Sequence, residues 1–249
     1  AWLVGWFASN FESYEFIYFL FIPISAILVA VIISFFIERI FLRKVYDRDE
    51  IVIVLVTYGL FLIFEDTMKL IFGTSSYLPF QPRIILGDIA IFDLPYVIYD
   101  LLIIALAAIV WFLFFSIIRY TKIGKLLIAV IHDREIASAM GINVTKFFVY
   151  TFLVGCFLGC LGGAASAPMI SVVPGVGVEI IVLAFAVVVT GGLGSITGAL
   201  LGALLIGFFR TIAIFYFPQL ELFIVFFVMA IILSIKPEGL FGTKEARKI

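Results

Sequence analysis

Phe16–Ile37, Ile51–Phe72, Val97–Ile118 and Phe147–Ala167 are apolar runs. Each is close to the length that carries an α-helix across a bilayer, about 20 residues. A shorter run at Val178–Thr190 follows, then Ala199–Phe217 and Leu222–Ile235. Seven such runs in 249 residues leave little from which to build a water-soluble core. Hydrophobic residues make up 65% of the chain and charged residues only 13%. Mean hydropathy is +1.29. A soluble domain carries about a quarter charged residues, so the solvent here is lipid. The sequence therefore predicts an all-α fold, a polytopic transmembrane helical bundle forming one domain over residues 1–249.

The net charge of −1 argues against a nucleic-acid partner, which needs a basic face. Cys156 and Cys160 lie four apart in an apolar run. That spacing suits two small packing residues on one helix face, not a disulfide or a metal site. His132 has no second ligand near it in sequence, and no paired carboxylates or nucleophile–base pair stand out. The chain opens at AWLVGWFAS, which reads as the tail of a hydrophobic helix, so further helices are expected to precede it.

Orientation follows from the basic residues. Arg39, Arg43, Lys44 and Arg48 follow the first run. Arg119, Lys122, Lys125, Arg134 and Lys146 lie between the third and fourth, and Lys236, Lys244, Arg247 and Lys248 close the chain. These regions, the C-terminus included, are expected on the cytoplasmic side of a plasma or inner membrane. The opposing segment Gly73–Tyr96 carries only Arg83, against Asp88 and Asp93. For the last helix to leave its basic tail inside, residues 175–217 must enter the membrane and return. Val178–Thr190 is then either a tilted short helix or one arm of a re-entrant hairpin.

The bend of that hairpin is GGLGSITG, with Gly191, Gly192, Gly194, Ser195, Gly198 and, one step on, Gly202. Bent backbone at membrane depth strands N–H and C=O groups unless it is buried in protein or lines a cavity. Glycine permits the turn and lets another helix come close. Gly194, Gly198 and Gly202 repeat every four residues, as do Gly155, Gly159 and Gly163, a spacing at which membrane helices pack backbone to backbone. Two readings stay open, tight helix packing and a bend that borders a conduit. A nucleotide site is excluded, since the stretch lacks the Lys-Ser/Thr of a phosphate loop.

Charges also fall within the apolar runs. Glu65, Asp66 and Lys69 share a helix face at spacings of three and four. They either pair among themselves or form an ion or proton site. Arg210 lies mid-segment and needs a partner or an aqueous lining, whereas Glu179 reads as interfacial. The loop TKIGKLLIAVIHDREIASAMGINVTKFF holds a predicted short helix in HDREIASAM, favoured by Asp133 near its start and ended by Gly141. With Ala137 and Ala139 small and Met140 apolar, it suits docking into a partner's groove.

GKLLIAVIHDREIASAMGIN, GGLGSITGALLGALLIG and KPEGLFG together resemble the permeases of branched-chain amino-acid ABC importers. Asp133, Ala137, Gly141, Ile142 and Asn143 match that family's cytoplasmic motif. Gly191, Gly192, Gly194, Ser195, Gly198, Ala199 and Gly202 match its glycine motif, with Ala203 in place of the last glycine. Lys236, Pro237, Gly239 and Leu240 match its terminal motif, and IERIFLRKVYDRDEIVIVLVTYGLFLIFED resembles the first-type permease of the high-affinity pair. The family's opening helices are not present. Glu65-Asp66 stand where members often carry Gln-Asn, and Arg210 near an often acidic position.

The resemblance implies a permease subunit, not an enzyme, importing branched-chain amino acids or related small polar solutes such as urea, short amides or nucleosides. It implies two cytoplasmic ATPase subunits holding ATP and Mg²⁺, with no cofactor or metal on this chain. It further implies a second permease subunit, a homologous sister or a second copy, and an extracytoplasmic solute-binding protein meeting Gly73–Tyr96 and Ala167–Gly177. Asp133, Arg134, Ala137, Met140, Gly141, Ile142 and Asn143 would form the ATPase-coupling loop. The competing class is an ion-coupled carrier or channel working through Glu65, Asp66 and Lys69.

Overall fold

The computed structural model describes residues 17–45, 48, 50–73, 76, 86–91, 93–132, 134–170, 172–173, 175–192 and 194–242. In chain order its elements are α1 (Ile17–Ile40), α2 (Glu50–Phe72), β1 (Asp88–Ile91), β2 (Leu94–Val97), α3 (Ile98–Tyr120), α4 (Lys122–His132), α5 (Arg134–Ala139), α6 (Val144–Ser166), α7 (Val176–Gly191), α8 (Ile196–Tyr216) and α9 (Glu221–Ile235). Every apolar run of the sequence is a helix, with ends displaced by a few residues at most. The polytopic all-α fold holds.

Among the described residues, five stretches are long and apolar enough to cross a bilayer: Phe21–Lys44, Ile98–Tyr120, Val144–Ser166, Ile196–Tyr216 and Pro218–Ile235. α2 has the length, but its last two turns carry Glu65, Asp66 and Lys69. α7 has 16 residues, or about 24 Å at 1.5 Å per residue, short of a hydrocarbon core of about 30 Å.

The chain's contacts divide it into two compact units, Ala1–Pro174 and Gly175–Ile249. In the first, α1 runs along α6. Ile22, Ala26, Ala30, Ser34 and Glu38 recur every four residues on α1, and all are buried. Such small side chains let two helix backbones approach, which is how helices associate where lipid supplies no hydrophobic drive. At one end of this stripe Ile22 packs on Leu161, Ala164 and Ala165 of α6. Tyr99, buried at the start of α3, donates a hydrogen bond to the Ala165 carbonyl at 2.7 Å. The Phe19 ring lies 6.1 Å from that of Tyr99, so α1, α3 and α6 are pinned together there. Near the other ends, Arg39 lies over the Phe35 ring at 5.4 Å and Arg119 over Phe115 at 5.5 Å. Each cation rests on an aromatic face of its own helix instead of facing hydrocarbon.

Two elements of this unit go beyond the sequence reading. Within Gly73–Tyr96, β1 and β2 form an antiparallel hairpin that pairs Asp88 with Val97 and Ile91 with Leu94. Its turn includes Asp93 at φ 61, a left-handed conformation that Asp tolerates better than most residues. α4 is the second. The loop after α3 forms a helix before the predicted short one: Thr121 accepts the Gly124 N–H at 3.2 Å and so caps the new start. Gly124 is required there, because a Cβ would lie 2.6 Å from the Ile117 carbonyl oxygen.

The second unit is a three-helix cluster of α7, α8 and α9. Ala186, Ile206, Val225 and Val228 form its buried centre, flanked by Leu183, Phe209 and Met229. Phe208, Phe215 and Phe223 point outward, which suits a lipid-facing surface.

Tyr99→Phe tests the pin in the first unit. Loss of the hydroxyl leaves the buried Ala165 carbonyl without that donor, and stability is expected to fall by about 1–2 kcal/mol. Thermal unfolding of the two proteins in the same detergent measures it; an unchanged midpoint would contradict the pin.

Candidate permease site

α7 ends at Gly191, and the chain turns with Gly192 at φ 100 and Gly194 at φ 79, values that side-chain-bearing residues rarely adopt. Ser195 then caps α8, its hydroxyl accepting the Gly198 N–H at 3.0 Å. Beyond the turn the two helices meet backbone to backbone. A Cβ on Gly202 would lie 2.5 Å from the Val187 carbonyl oxygen, and a Cβ on Gly191 would overlap the Gly198 carbonyl. Gly191, Gly198 and Gly202 are therefore close-packing glycines. Gly194 has open space around it. So do Gly155, Gly159 and Gly163 of α6 among the described residues; within this chain α1 and α6 meet through Ala164 and Ala165.

The third motif closes over the turn. After α9, the Leu240 N–H donates to the Thr190 carbonyl at 2.9 Å and the Phe241 N–H to the Gly191 carbonyl at 3.0 Å. The last carbonyls of a helix lack intrahelical donors, and these two are supplied by a segment fifty residues away. Gly239, at φ 80, lies so close that a Cβ would stand 2.5 Å from the Gly192 Cα. GGLGSITG and KPEGLFG are thus two halves of one contact. Thr190 itself is fully buried, and its hydroxyl has no partner among the described residues.

Arg210 finds partners that the sequence did not reveal. From α8 it reaches Glu179 of α7, at 2.8 Å, and Glu221 at the start of α9. One guanidinium thus ties the three helices at the end opposite the glycine turn, and Glu179 is a partner in an ion-pair triad. Lys69 lies 3.0 Å from Glu65 and 3.2 Å from Asp66, so that cluster is internally paired along α2. Glu38 was not singled out from sequence. Its carboxylate oxygen Oε1 is buried without a partner among the described residues, at the end of the α1 stripe whose four-residue period was the available signal.

In the predicted coupling loop, Asp133 lies outside the described residues, and Arg134 begins α5. Gly141, at φ 83, donates to the Ser138 carbonyl at 2.9 Å, while Ile142 donates to the Ala137 carbonyl at 3.1 Å. This pair of bonds is the Schellman motif. Asn143 next accepts the Lys146 N–H at 3.1 Å and caps α6. Gly-Ile-Asn therefore ends one helix and starts the next within three residues. Ala137 is buried, at 2% exposure, so it packs inside its own unit and does not face a partner. The exposed apolar side chains are Ile136 and Met140, one turn apart.

Bilayer-length helices, a glycine-packed helical hairpin and intramembrane charges held in pairs define a polytopic integral membrane protein. The chain belongs to the family described as the branched-chain amino acid transport system / permease component, which it matches over residues 1–234. The family resemblance therefore holds. The chain is 26% identical over 236 residues to the high-affinity branched-chain amino acid transport system permease protein LivH of Salmonella typhimurium, covering 91% of this chain and 75% of that one. LivH of Escherichia coli K12 is 25% identical over the same shares. The corresponding permease protein BraD of Pseudomonas aeruginosa is 29% identical over 134 residues, 53% of this chain and 44% of its own. No solved structure matches.

The glycine contacts separate two substitutions. Gly202→Val drives side-chain atoms into the Val187 carbonyl and is expected to abolish monodisperse protein on size exclusion. Gly155→Ala meets open space and is expected to be neutral or to stabilise α6 by up to about 1 kcal/mol. Equal behaviour of the two variants would contradict the packing described.

Proposed function

We propose that this permease imports branched-chain amino acids, or closely related small polar solutes, into the cytoplasm, driven by ATP hydrolysis on separate subunits. The family match carries the reading. The partners would be two ATPase subunits on the cytoplasmic side, a second permease subunit that is a homologous sister or a second copy, and a solute-binding protein on the outer side. ATP and Mg²⁺ would sit on the ATPases. The C-terminus and the loop from Lys122 to Lys146 would face the cytoplasm, in keeping with their basic residues.

α5 is the element best suited to receive the motor. It is a short helix ended by Gly141, with Asn143 starting α6 directly after it, and it presents Ile136 and Met140 outward. Residues Asp133 to Asn143 would transmit ATPase closure to α4 and α6, which flank the helix, and so alternate access. Coupling of this kind requires that the partner bind the two states with different affinity. The glycine turn from Gly191 to Ser195 would border the path, with the Thr190 hydroxyl as a polar group beside it.

Reconstitution with candidate ATPases and a binding protein tests the reading. Leucine, isoleucine or valine should stimulate ATP hydrolysis and uptake. Ile136→Glu/Met140→Glu should cut stimulated hydrolysis at least tenfold, about 1.4 kcal/mol of coupling, while membrane insertion is unchanged. Uptake that persists without ATP and collapses with an ion gradient would instead support a carrier working through Glu65, Asp66 and Lys69.

A further inference from the structure

Two cavities in the Ala1–Pro174 unit share a wall. One, about 420 Å³, is lined by Arg43, Asn143, Thr145, Lys146, Val149 and Tyr150. The other, about 530 Å³, is an apolar groove along α3, α4 and α6, walled by residues such as Phe114, Ile118, Leu127, Phe147 and Val154. Asn143, Lys146 and Tyr150 line both, so the cationic notch opens directly into the groove.

The charges are uncommitted. Arg39 and Arg119 rest on their own aromatic rings. Among the described residues, Arg43 and Lys146 have no carboxylate partner, and no carboxylate lines either cavity. Lys146 also stands in the first turn of α6, the positive end of a 23-residue helix dipole. An arginine fork beside a lysine point charge matches phosphate oxygens, and the Tyr150 and Thr145 hydroxyls add donors. The height is also right. Arg43 lies just past the end of α1 and Lys146 at the start of α6, where bilayer-length helices meet the headgroup region.

A ligand that satisfies both halves must carry a phosphate at one end and a hydrocarbon chain at the other. We propose that this composite site binds an anionic glycerophospholipid, with its phosphate between Arg43 and Lys146 and an acyl chain in the groove beside Phe114, Leu127 and Val154. Basic pockets between membrane helices recognise lipid headgroups by this chemistry. The transport reading plays no part in the assignment.

The test follows thermal unfolding of the full chain in detergent during titration with dioleoyl phosphatidylglycerol, dioleoyl phosphatidylcholine or sodium phosphate. Phosphatidylglycerol should raise the midpoint and phosphatidylcholine should not. Arg43→Gln/Lys146→Gln should weaken the apparent phosphatidylglycerol affinity roughly 30-fold, since each basic residue near an anionic lipid contributes a factor of about five. Val154→Trp, which fills the groove, should weaken the phospholipid effect independently of charge. Equal responses to the two lipids, or a phosphatidylglycerol response untouched by the double variant, would overturn the proposal. Sodium phosphate acting as well as the lipid would assign a free-anion site instead. In the assembled transporter, Lys146 should resist acylation only when phosphatidylglycerol is present. Protection in phosphatidylcholine alone would give the notch to an acidic partner segment and also overturn the proposal.

Discussion

The hydrogen bonds that Leu240 and Phe241 give to the Thr190 and Gly191 carbonyls are the constraint on which the Gly175–Ile249 unit depends. In lipid an unpaired carbonyl has no water to turn to, and each one costs several kcal/mol. The terminal carbonyls of α7 have no intrahelical donors and need protein donors in their place. The returning tail brings them, and it comes near enough only because Gly192, Gly239 and Gly242 carry no side chains. The same absence lets α7 and α8 touch at Gly191, Gly198 and Gly202. Six glycines thus hold a helix pair and its lid together.

Charge is handled by the same rule. A lone guanidinium at membrane depth is expensive, and a pair is tolerable when its geometry is good. Arg210 meets one carboxylate from each neighbouring helix, so the three-helix cluster is tied at one end by ions and at the other by glycine backbone. With Arg210 a third exposed, the triad's worth is reduced by screening, and its main consequence is geometric. On α2 the Glu65–Asp66–Lys69 cluster neutralises most of its charge within two helical turns.

The helices were legible in the sequence because hydropathy is a local property, and so was the stop at Gly141, where the Schellman bonds span six residues. α4 was missed because its KIGKLLIAVIH pattern is amphipathic at helical period but lies in a basic segment between two longer runs. Its signal was the recurrence of Ile123, Leu127 and Val130. The inward turn of Ala137 was not legible, since a small residue at helical spacing looks alike buried or exposed. Nor were the partners of Arg210, which lie 31 and 11 residues away. The clasp joins positions separated by fifty residues, and two glycine motifs that read as separate signatures turned out to be one contact. Nothing in the spacing of either says that they meet.

Amide hydrogen exchange at Leu240 and Phe241 in the intact, membrane-embedded protein tests this account most directly. The clasp predicts that both amides exchange at least a hundredfold more slowly than an unstructured chain, an opening free energy of about 2.7 kcal/mol or more. Exchange at the unprotected rate, with the amides of α8 still protected, would mean that the tail does not close the glycine turn, and the account would fail at its base.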